Sequence, residues 1–236
     1  MSYLGYTRLM NTHCKLFDVP KVLEIGVDRG QTALPLVANL AQLNSDFVYL
    51  GLDVRLDQCF AEQVSQIFGA RVGTEFPSPD SNVFYIIRNS LDILPLLAKM
   101  KYKFDLILID GDHNYSTVKK ELSYLRDISH TSTMVICDDY SGRHANKDTF
   151  YRDYESHKEN LHIQGVELPK TEKQGVNQAI DEWIAENSDY KLYNFTDGEP
   201  CMIVPPHLAV GSERTAGQHL HDIPWKVTIA KNTESE

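Results

Sequence analysis

Short apolar runs alternate with amphipathic stretches along this chain, a pattern typical of a parallel sheet with helices on both faces. The runs predict seven strands, at Lys21–Ile25, Phe47–Leu52, Val83–Ile87, Phe104–Ile109, Thr133–Cys137, Tyr190–Phe195 and Pro200–Val204. The fourth run is the most continuously apolar, as expected for a strand that is buried on both faces. Apolar residues at helical spacing predict helices at Gln31–Leu43, Leu56–Phe68 and Leu91–Met100, after Tyr115, and from Val176 to Ile184.

These elements predict an α/β fold: a Rossmann-like, doubly wound, mostly parallel seven-stranded sheet with an antiparallel last strand. The last two strands are expected to pair through a turn at Asp197 and Gly198. The pattern divides the chain into an N-terminal cap segment (residues 1–20), one sheet domain (residues 21–204) and a C-terminal tail (residues 205–236). A polar stretch around residues 141–173 is interpreted as an insertion or lid within the domain.

The net charge of −10 argues against nucleic acid and membrane as partners, because an acidic surface repels phosphate groups and anionic lipid. The four cysteines form no CxxC motif and are interpreted as free thiols in a reducing compartment. The N-terminus shows no signal peptide, and no stretch has the length of a transmembrane helix. We therefore expect a cytoplasmic protein.

The first candidate site follows the first predicted strand, in the sequence LEIGVDRGQT (Leu23–Thr32). Gly26 and Gly30 permit a tight turn and a close approach of a ligand to the backbone, and the next helix directs its amide groups at that ligand. The spacing G-x-x-x-G differs from the dinucleotide fingerprint G-x-G-x-x-G, and an ordinary strand-to-helix turn is the alternative. Asp53 ends the second strand, where a carboxylate can accept both hydroxyls of a ribose or cap a helix.

The third predicted strand ends in RNSLD, where Ser90 or Asp92 can reach an adenine edge. Three strand ends would then line one crevice, which is where ligands bind in open α/β sheets. This arrangement predicts a nucleoside pocket.

The second candidate site consists of acids at the ends of two further strands. Asp110 ends the fourth strand in IDGDHNY, and Asp138 and Asp139 end the fifth in CDDY. Converging carboxylates repel one another, and a divalent cation relieves that repulsion; hard oxygen ligands suit magnesium, calcium or manganese. The alternative is that each acid only ends a strand or caps a helix, which the cluster of three beside His113 disfavours.

These residues resemble the class I S-adenosylmethionine-dependent methyltransferases, from about Lys21 to about Trp183. The sequence IDGDHNY followed by DDY is similar to the metal-dependent O-methyltransferases, especially the macrocin- and novobiocin-type sugar enzymes, and its layout is similar to catechol O-methyltransferases. GVNQAIDEW (Gly175–Trp183) resembles the helix after the lid in this branch. The resemblance implies S-adenosylmethionine as cofactor, Mg²⁺ or another hard divalent cation, and methylation of a hydroxyl on a small molecule.

The resemblance also implies roles for individual residues. The implied cofactor-binding residues are Glu24, Gly26, Gly30, Asp53, Ser90 and Asp110. Asp110, Asp138 and Asp139 would bind the metal. The general base would be His113, three residues after the first metal acid as in catechol-type enzymes, or Asp112, two residues after it as in some sugar enzymes.

Two departures from the family pattern leave the acceptor open. Ser132 and Thr133 replace a frequent Gly-Gly pair, and the insertion after Tyr140 matches nothing familiar. Arg143 and His144 either contact an acceptor or are solvated loop residues, and the second interpretation is favoured because loop charges are usually solvated. The alternative functions are a metal-independent N- or carboxyl-methyltransferase, a nicotinamide dehydrogenase and a non-catalytic nucleoside-binding scaffold. The N-terminal segment and the tail are candidates for a homodimer interface.

Overall fold

The computed structural model gives the placement of most of the sheet and its covering helices. The described residues are 6–43, 46–55, 62–63, 76, 81–148, 175–194, 200–212 and 225–229.

Seven strands form one sheet in the order β3-β2-β1-β4-β5-β7-β6. The strands are β1 (Lys21–Ile25), β2 (Val48–Asp53), β3 (Val83–Ile87), β4 (Phe104–Ile109), β5 (Ser129–Cys137), β6 (Lys191–Asn194) and β7 (Cys201–Val204). The first five are parallel to one another, and β7 runs antiparallel to both β5 and β6. The predicted fold class is therefore confirmed, including the antiparallel last strand.

Helices within the described part of the chain cover both faces of the sheet. They are α1 (Thr7–Cys14), α2 (Ala33–Leu43), α3 (Ser90–Lys99), α4 (Tyr115–Ser123), α5 (Leu125–Ile128) and α6 (Val176–Glu186). The direction in which the strands are added reverses between β1 and β4, so the carboxyl ends of these two strands open a crevice at the usual ligand position of such sheets.

The sheet separates two apolar cores, because neighbouring residues on each strand point to opposite faces. Leu106 and Leu108 of β4 pack with α1 and α2 on one face. Ile107 and Ile109 pack with α3, α4 and α6 on the other. All four side chains are buried, and each contributes about 1.5–3 kcal/mol to stability. This burial on both faces explains why β4 has the strongest apolar pattern in the sequence.

The strand β5 is longer than the sequence pattern predicts, beginning at Ser129 rather than Thr133. Its extra residues are mainly polar, so no apolar run marks this part of the strand in the sequence. Hydrogen bonds stabilise it: the backbone N–H of His130 donates to Thr133 Oγ1 over 2.8 Å. The pairing with β4 also shifts register between Phe104 and Leu106. Smaller differences of one or two residues occur at the starts of β2, α2 and α3.

Two structural features were not predicted from the sequence. The N-terminal segment contains α1, whose buried residues Leu9, Met10, His13 and Cys14 face the sheet. The tail contains β8 (Leu208–Ser212) and β9 (Trp225–Ile229), which form a separate antiparallel pair. Leu208 and Val227 join the same core as α1 and α2.

Three predicted elements fall wholly or largely outside the described residues. They are the helix at Leu56–Phe68, the turn at Asp197 and Gly198, and residues 149–173 of the predicted insertion. Within the described part of the chain, no helix has the length and apolar character needed to cross a membrane.

Candidate active site

The turn after β1 brings the ends of three strands together. Gly26 adopts a φ of 86°, and its N–H donates to the carbonyl of Leu52 at the end of β2 over 2.8 Å. A Cβ at Gly26 would lie 2.0 Å from the carbonyl oxygen of Asp110, so only glycine fits between β1 and β4 here. Gly30 closes the turn with a φ of 73° and an N–H donated to the carbonyl of Val27.

Asp53 stabilises this turn from the end of β2. One carboxylate oxygen accepts the backbone N–H of Asp28 over 2.8 Å, and the other accepts that of Arg55 over 2.9 Å. Asp53 itself is not among the residues that line the main cavity, whereas Asp28 and Arg55 are. The structure therefore places Asp53 directly behind the loops that form one wall of the cavity.

Glu24 lies in β1 beneath the same cavity and is 1% exposed. Burial raises the pKa of its carboxyl group to about 8, opposed by a hydrogen bond that Tyr49 Oη donates to Glu24 Oε2 over 2.7 Å. Tyr49 is fully buried in β2. The phenol thus fixes the carboxyl group and satisfies one of its oxygens, which the sequence pattern did not reveal.

The cavity has a volume of about 630 Å³ and runs from the Gly26 turn to the ends of β4 and β5. Its lining contains five acids and three arginines from separate segments. The residues are Glu24, Gly26, Val27, Asp28, Arg29, Gln31, Thr32, Arg55, Asp110, Gly111, His113, Asp138, Asp139 and Arg143. This volume is within the range of small-molecule sites.

Asp110, His113 and Asp138 converge at the far end of the cavity. Each offers one donor atom, and these atoms lie within 4.8 Å of one another. Asp110 donates a hydrogen bond to Asp138, and burial together with the Asp138 charge raises the pKa of Asp110. Burial also raises the pKa of Asp138. Full ionisation of two adjacent buried carboxyl groups is unfavourable, which is why both pKa values rise.

Asp139 follows with a φ of 57°, unusual for a residue with a side chain. Its Oδ1 accepts the backbone N–H of Arg143 over 3.1 Å, and its Oδ2 lies 3.6 Å from His113 Nδ1. Asp139 is 5% exposed. The structure therefore places all three predicted acids at one cavity, with Asp110 and Asp138 closest to each other and Asp139 bound to its own loop.

His113 lies between two carboxylates and another histidine. Its Nε2 is 3.5 Å from Asp110 Oδ1, and its ring stacks on that of His144 with centroids 5.1 Å apart and planes 13° from parallel. Arg143 Nε donates to His144 Nε2 over 3.0 Å, so the His144 ring accepts a hydrogen bond there. Burial lowers the pKa of His113, opposed by Asp139. The interpretation as a solvated loop residue is wrong for His144, which is half-buried and stacks on His113, whereas Arg143 is exposed to solvent.

Two further predicted site residues make contacts within the protein instead of lining the cavity. The Asp112 carboxylate accepts hydrogen bonds from Asn114 Nδ2 and Thr117 Oγ1 at the start of α4. Ser90 Oγ donates to Glu121 Oε1, and both side chains are buried between α3 and α4. The sequence pattern pointed to Asp112 and Ser90 but could not show that their side chains form hydrogen bonds within the protein.

A family comparison decides what class of protein this arrangement belongs to. Residues 23–140, half of the chain, match the family model described as "Methyltransferase domain". The chain belongs to this methyltransferase family. The match covers the Gly26 turn, Asp53 and all three acids at the ends of β4 and β5. No curated protein matches the sequence.

Solved structures show the same fold at low sequence identity. The SAH-bound methyltransferase PaMTH1 from Podospora anserina is 16% identical, with a TM-score of 0.51 over 87% of this chain and 80% of that one. MycE, a methyltransferase of the mycinamycin biosynthetic pathway solved with Mg, SAH and mycinamycin VI, is 12% identical, with a TM-score of 0.50 over 85% of this chain. The match spans 49% of MycE, about half its length. At these identities the likeness concerns the fold alone.

The donor set of this methyltransferase fits a hard divalent cation. Two carboxylates and an imidazole converge, with a third carboxylate beside them. Burial and the Asp138 charge raise the pKa of Asp110, so positive charge is favourable at this place. Asp110, His113 and Asp138 each offer a donor atom for such an ion, and Asp139 lies beside them. Sequence reasoning had found these four residues, but not His144, Tyr49 or Glu121.

Proposed function

We propose that this methyltransferase transfers the methyl group of S-adenosylmethionine to a hydroxyl of a small molecule, with a divalent metal ion bound beside the acceptor. The observation that carries the proposal is the convergence of Asp110, His113 and Asp138 at one end of the cavity whose other end is the Gly26 turn. A base and a cation site then lie beside a nucleoside pocket.

The cofactor is assigned to the half of the cavity near β1 and β2. Gly26 and Gly30 allow its methionine part to approach the backbone, and Glu24 lies below it. Asp53, whose carboxylate holds the Asp28 and Arg55 loop behind the cavity wall, stays a proposed ribose contact. Ser90 stays a proposed adenine contact, held by Glu121. PaMTH1 and MycE, which share the fold, were solved with SAH.

The metal is assigned to Asp110, Asp138 and Asp139, with Mg²⁺ as the preferred ion. MycE, which was solved with Mg, supports this choice by analogy of fold. A bound divalent cation would supply Lewis acidity that lowers the pKa of an acceptor hydroxyl. The three carboxylates would lose their mutual repulsion at the same time.

His113 is the proposed general base. It lines the cavity, its ring is buried enough to favour the neutral form, and a neutral imidazole accepts a proton. Asp112 is the weaker candidate, because its carboxylate already accepts hydrogen bonds from Asn114 and Thr117. The cavity walls would align the acceptor oxygen with the methyl group, which is the main requirement of this reaction.

The proposed acceptor is a sugar, a catechol or another vicinal diol, since two adjacent oxygens suit a metal bound beside the base. The acidic chain, with a net charge of −10, makes nucleic acid and membrane surfaces unfavourable partners. A cytoplasmic location, the division into residues 1–20, 21–204 and 205–236, and a homodimer stay predictions.

The test is methyl transfer from methyl-labelled S-adenosylmethionine to a panel of catechols and sugars with vicinal diols, with Mg²⁺ or with EDTA. We expect Mg²⁺-dependent product that falls by about 10²–10⁴-fold in His113→Gln, the usual contribution of a general base. His130→Gln is the matched control, because His130 also contacts an aspartate, Asp105, but at the opposite edge of the sheet.

Turnover of these hydroxyl acceptors that is unaffected by EDTA would reject the metal ion. Full turnover in His113→Gln would remove His113 from the role of base. No product with any acceptor, combined with absence of cofactor binding, would favour the scaffold alternative.

A further inference from the structure

Two loops carry the reactive end of the cavity, and they come from different strands. The β4 loop (residues 110–114) carries Asp110 and His113, and the β5 loop (residues 138–148) carries Asp138, Asp139 and His144. Their side chains meet across the gap, with His113 Nδ1 at 3.6 Å from Asp139 Oδ2 and the two histidine rings stacked. Contacts outside the cavity also hold the two loops at this spacing.

Asp148, at the end of the β5 loop, connects the two. It is 1% exposed, and its Oδ1 accepts the backbone N–H of Tyr115 and that of Gly175, each over 2.7 Å. Tyr115 is the first residue of α4, and Gly175 is the residue immediately before α6. One carboxylate oxygen therefore binds two helix N-termini simultaneously.

The two helices depend on Asp148 for this contact. Neither Asn114 before α4 nor Gly175 before α6 makes a side-chain capping bond. The first N–H groups of a helix need acceptors, and a carboxylate there also interacts favourably with the helix dipole. These two contacts stabilise the buried Asp148 carboxylate. No local sequence motif indicates that Asp148 makes them.

The β5 loop is tied to α6 by further backbone bonds. The N–H of Val176 donates to the carbonyl of His144 over 3.2 Å, and that of Asn177 to the carbonyl of Ala145 over 3.0 Å. Gly175 has a φ of 89°, and a Cβ there would lie 2.3 Å from the Ala145 carbonyl oxygen. His144 is thereby fixed to α6, while Tyr115, two residues after His113, is fixed to Asp148.

We propose that Asp148 is a positioning residue of the methyltransferase site: it sets the spacing of the β4 and β5 loops and so holds His113 against His144 and Asp139. The effect of Asp148 on catalysis rests on the proposed function, whereas its effect on the positions of His113 and His144 can be measured without turnover. Asp148 does not line the cavity and acts through the loops that do.

The test uses NMR of the protein with ¹³C-labelled histidine. The ring resonances of His113 and His144 are assigned from their disappearance in His113→Gln and His144→Gln. In Asp148→Ala we expect both resonances to shift as the stacking is lost. Asp148→Asn keeps an oxygen acceptor, so it should restore the wild-type positions.

Asn187→Ala is the matched control. Asn187 Nδ2 donates to the carbonyl of Trp183, so this variant removes a hydrogen bond from the opposite end of α6. The control should leave both resonances unchanged. If Asp148→Ala does not fold, Asp148→Ser replaces it, because a shorter side chain cannot reach both N–H groups. Unchanged resonances in the folded variant would overturn the proposal.

A second measurement separates this proposal from the function on which it rests. Titration with Mg²⁺ alone should give at least 10-fold weaker binding in Asp148→Ala, the usual effect of removing a group that orients metal ligands. The affinity for SAH should stay within about 2-fold, because Asp148 does not line the cavity in which the cofactor is proposed to bind. Absence of Mg²⁺ binding in the wild type would reject the metal, while the histidine resonances would still decide the role of Asp148.

Discussion

At Gly26 the backbone of β1 comes so close to that of β4 that no side chain fits between them. The residue has a φ of 86°, and a Cβ would lie 2.0 Å from the carbonyl oxygen of Asp110. Because the obstacle is backbone rather than a flexible side chain, the strand ends would have to separate. The turn thus connects the half of the cavity proposed to bind the cofactor with Asp110, the first acid of the proposed metal site.

Gly26→Ala should therefore lower the free energy of unfolding by at least about 2 kcal/mol, the scale of a strained backbone combined with a steric clash. Urea unfolding measures this, and SAH binding should be lost in the fraction that stays folded. Gly111→Ala is the control, since its nearest neighbour would be a side-chain carbon of Ile25 at 3.2 Å. Equal stability of the two variants would contradict the account of this turn.

Individual site residues differ in how far the sequence could predict them. Asp110, Asp138 and Asp139 come directly after apolar runs that predict buried parallel strands. Because parallel strands end at the same edge of a sheet, the sequence alone predicts that these acids lie there. Tyr49 and His144 are different, because a phenol in a strand and a histidine in a polar loop show no local sign of their partners. Their roles arise from contacts with Glu24 and His113, which are distant in sequence.

Among the elements, the strands were predicted best because each has an apolar run bounded by polar or turn residues. Helix α1 was missed because it has only eight residues and because its buried stripe includes His13, a polar residue. The strands β8 and β9 were missed because they are short and form a separate pair, so neither shows the alternation of a larger sheet. Both missed elements cover the same face of the main sheet.

Helix α1 is joined to the sheet by its histidine, and this contact predicts a dependence on pH. His13 is 0% exposed, and its Nε2 donates to the carbonyl of Asp105 in β4 over 2.8 Å. Burial lowers the pKa of His13 to about 4, against 6.5 for the free side chain. Between pH 6.5 and about 4, His13 is therefore protonated in the unfolded chain and neutral in the folded chain. The free energy of unfolding falls as the pH decreases through this range.

His13→Gln should remove this dependence, because glutamine can donate to the same carbonyl and does not titrate. By linkage, the wild type should lose up to about 3 kcal/mol more than the variant between pH 6.5 and 4. Urea unfolding at several pH values gives the comparison. His207→Gln changes an exposed histidine and should follow the wild-type profile; a His13→Gln profile parallel to the wild type would refute the explanation.

At the scale of the whole molecule, the sheet order explains why the candidate site lies where it does. The reversal between β1 and β4 opens a crevice, and the Gly26 turn, the acids of the β4 and β5 loops and His113 border it. The family match over residues 23–140 covers most of this arrangement. The acceptor could not be predicted, because the sequence around residues 141–173 has no familiar pattern and most of it lies outside the described residues.

The central claim is that this crevice binds the nucleoside of S-adenosylmethionine, and calorimetric titration with SAH tests it most directly. We expect binding in the micromolar range, about −8 kcal/mol, that weakens at least 10-fold in Asp53→Ala. Asp189→Ala, which changes an exposed carboxylate paired with Arg126, should bind SAH like the wild type. Absence of SAH binding by the wild type, with and without Mg²⁺, would contradict the account.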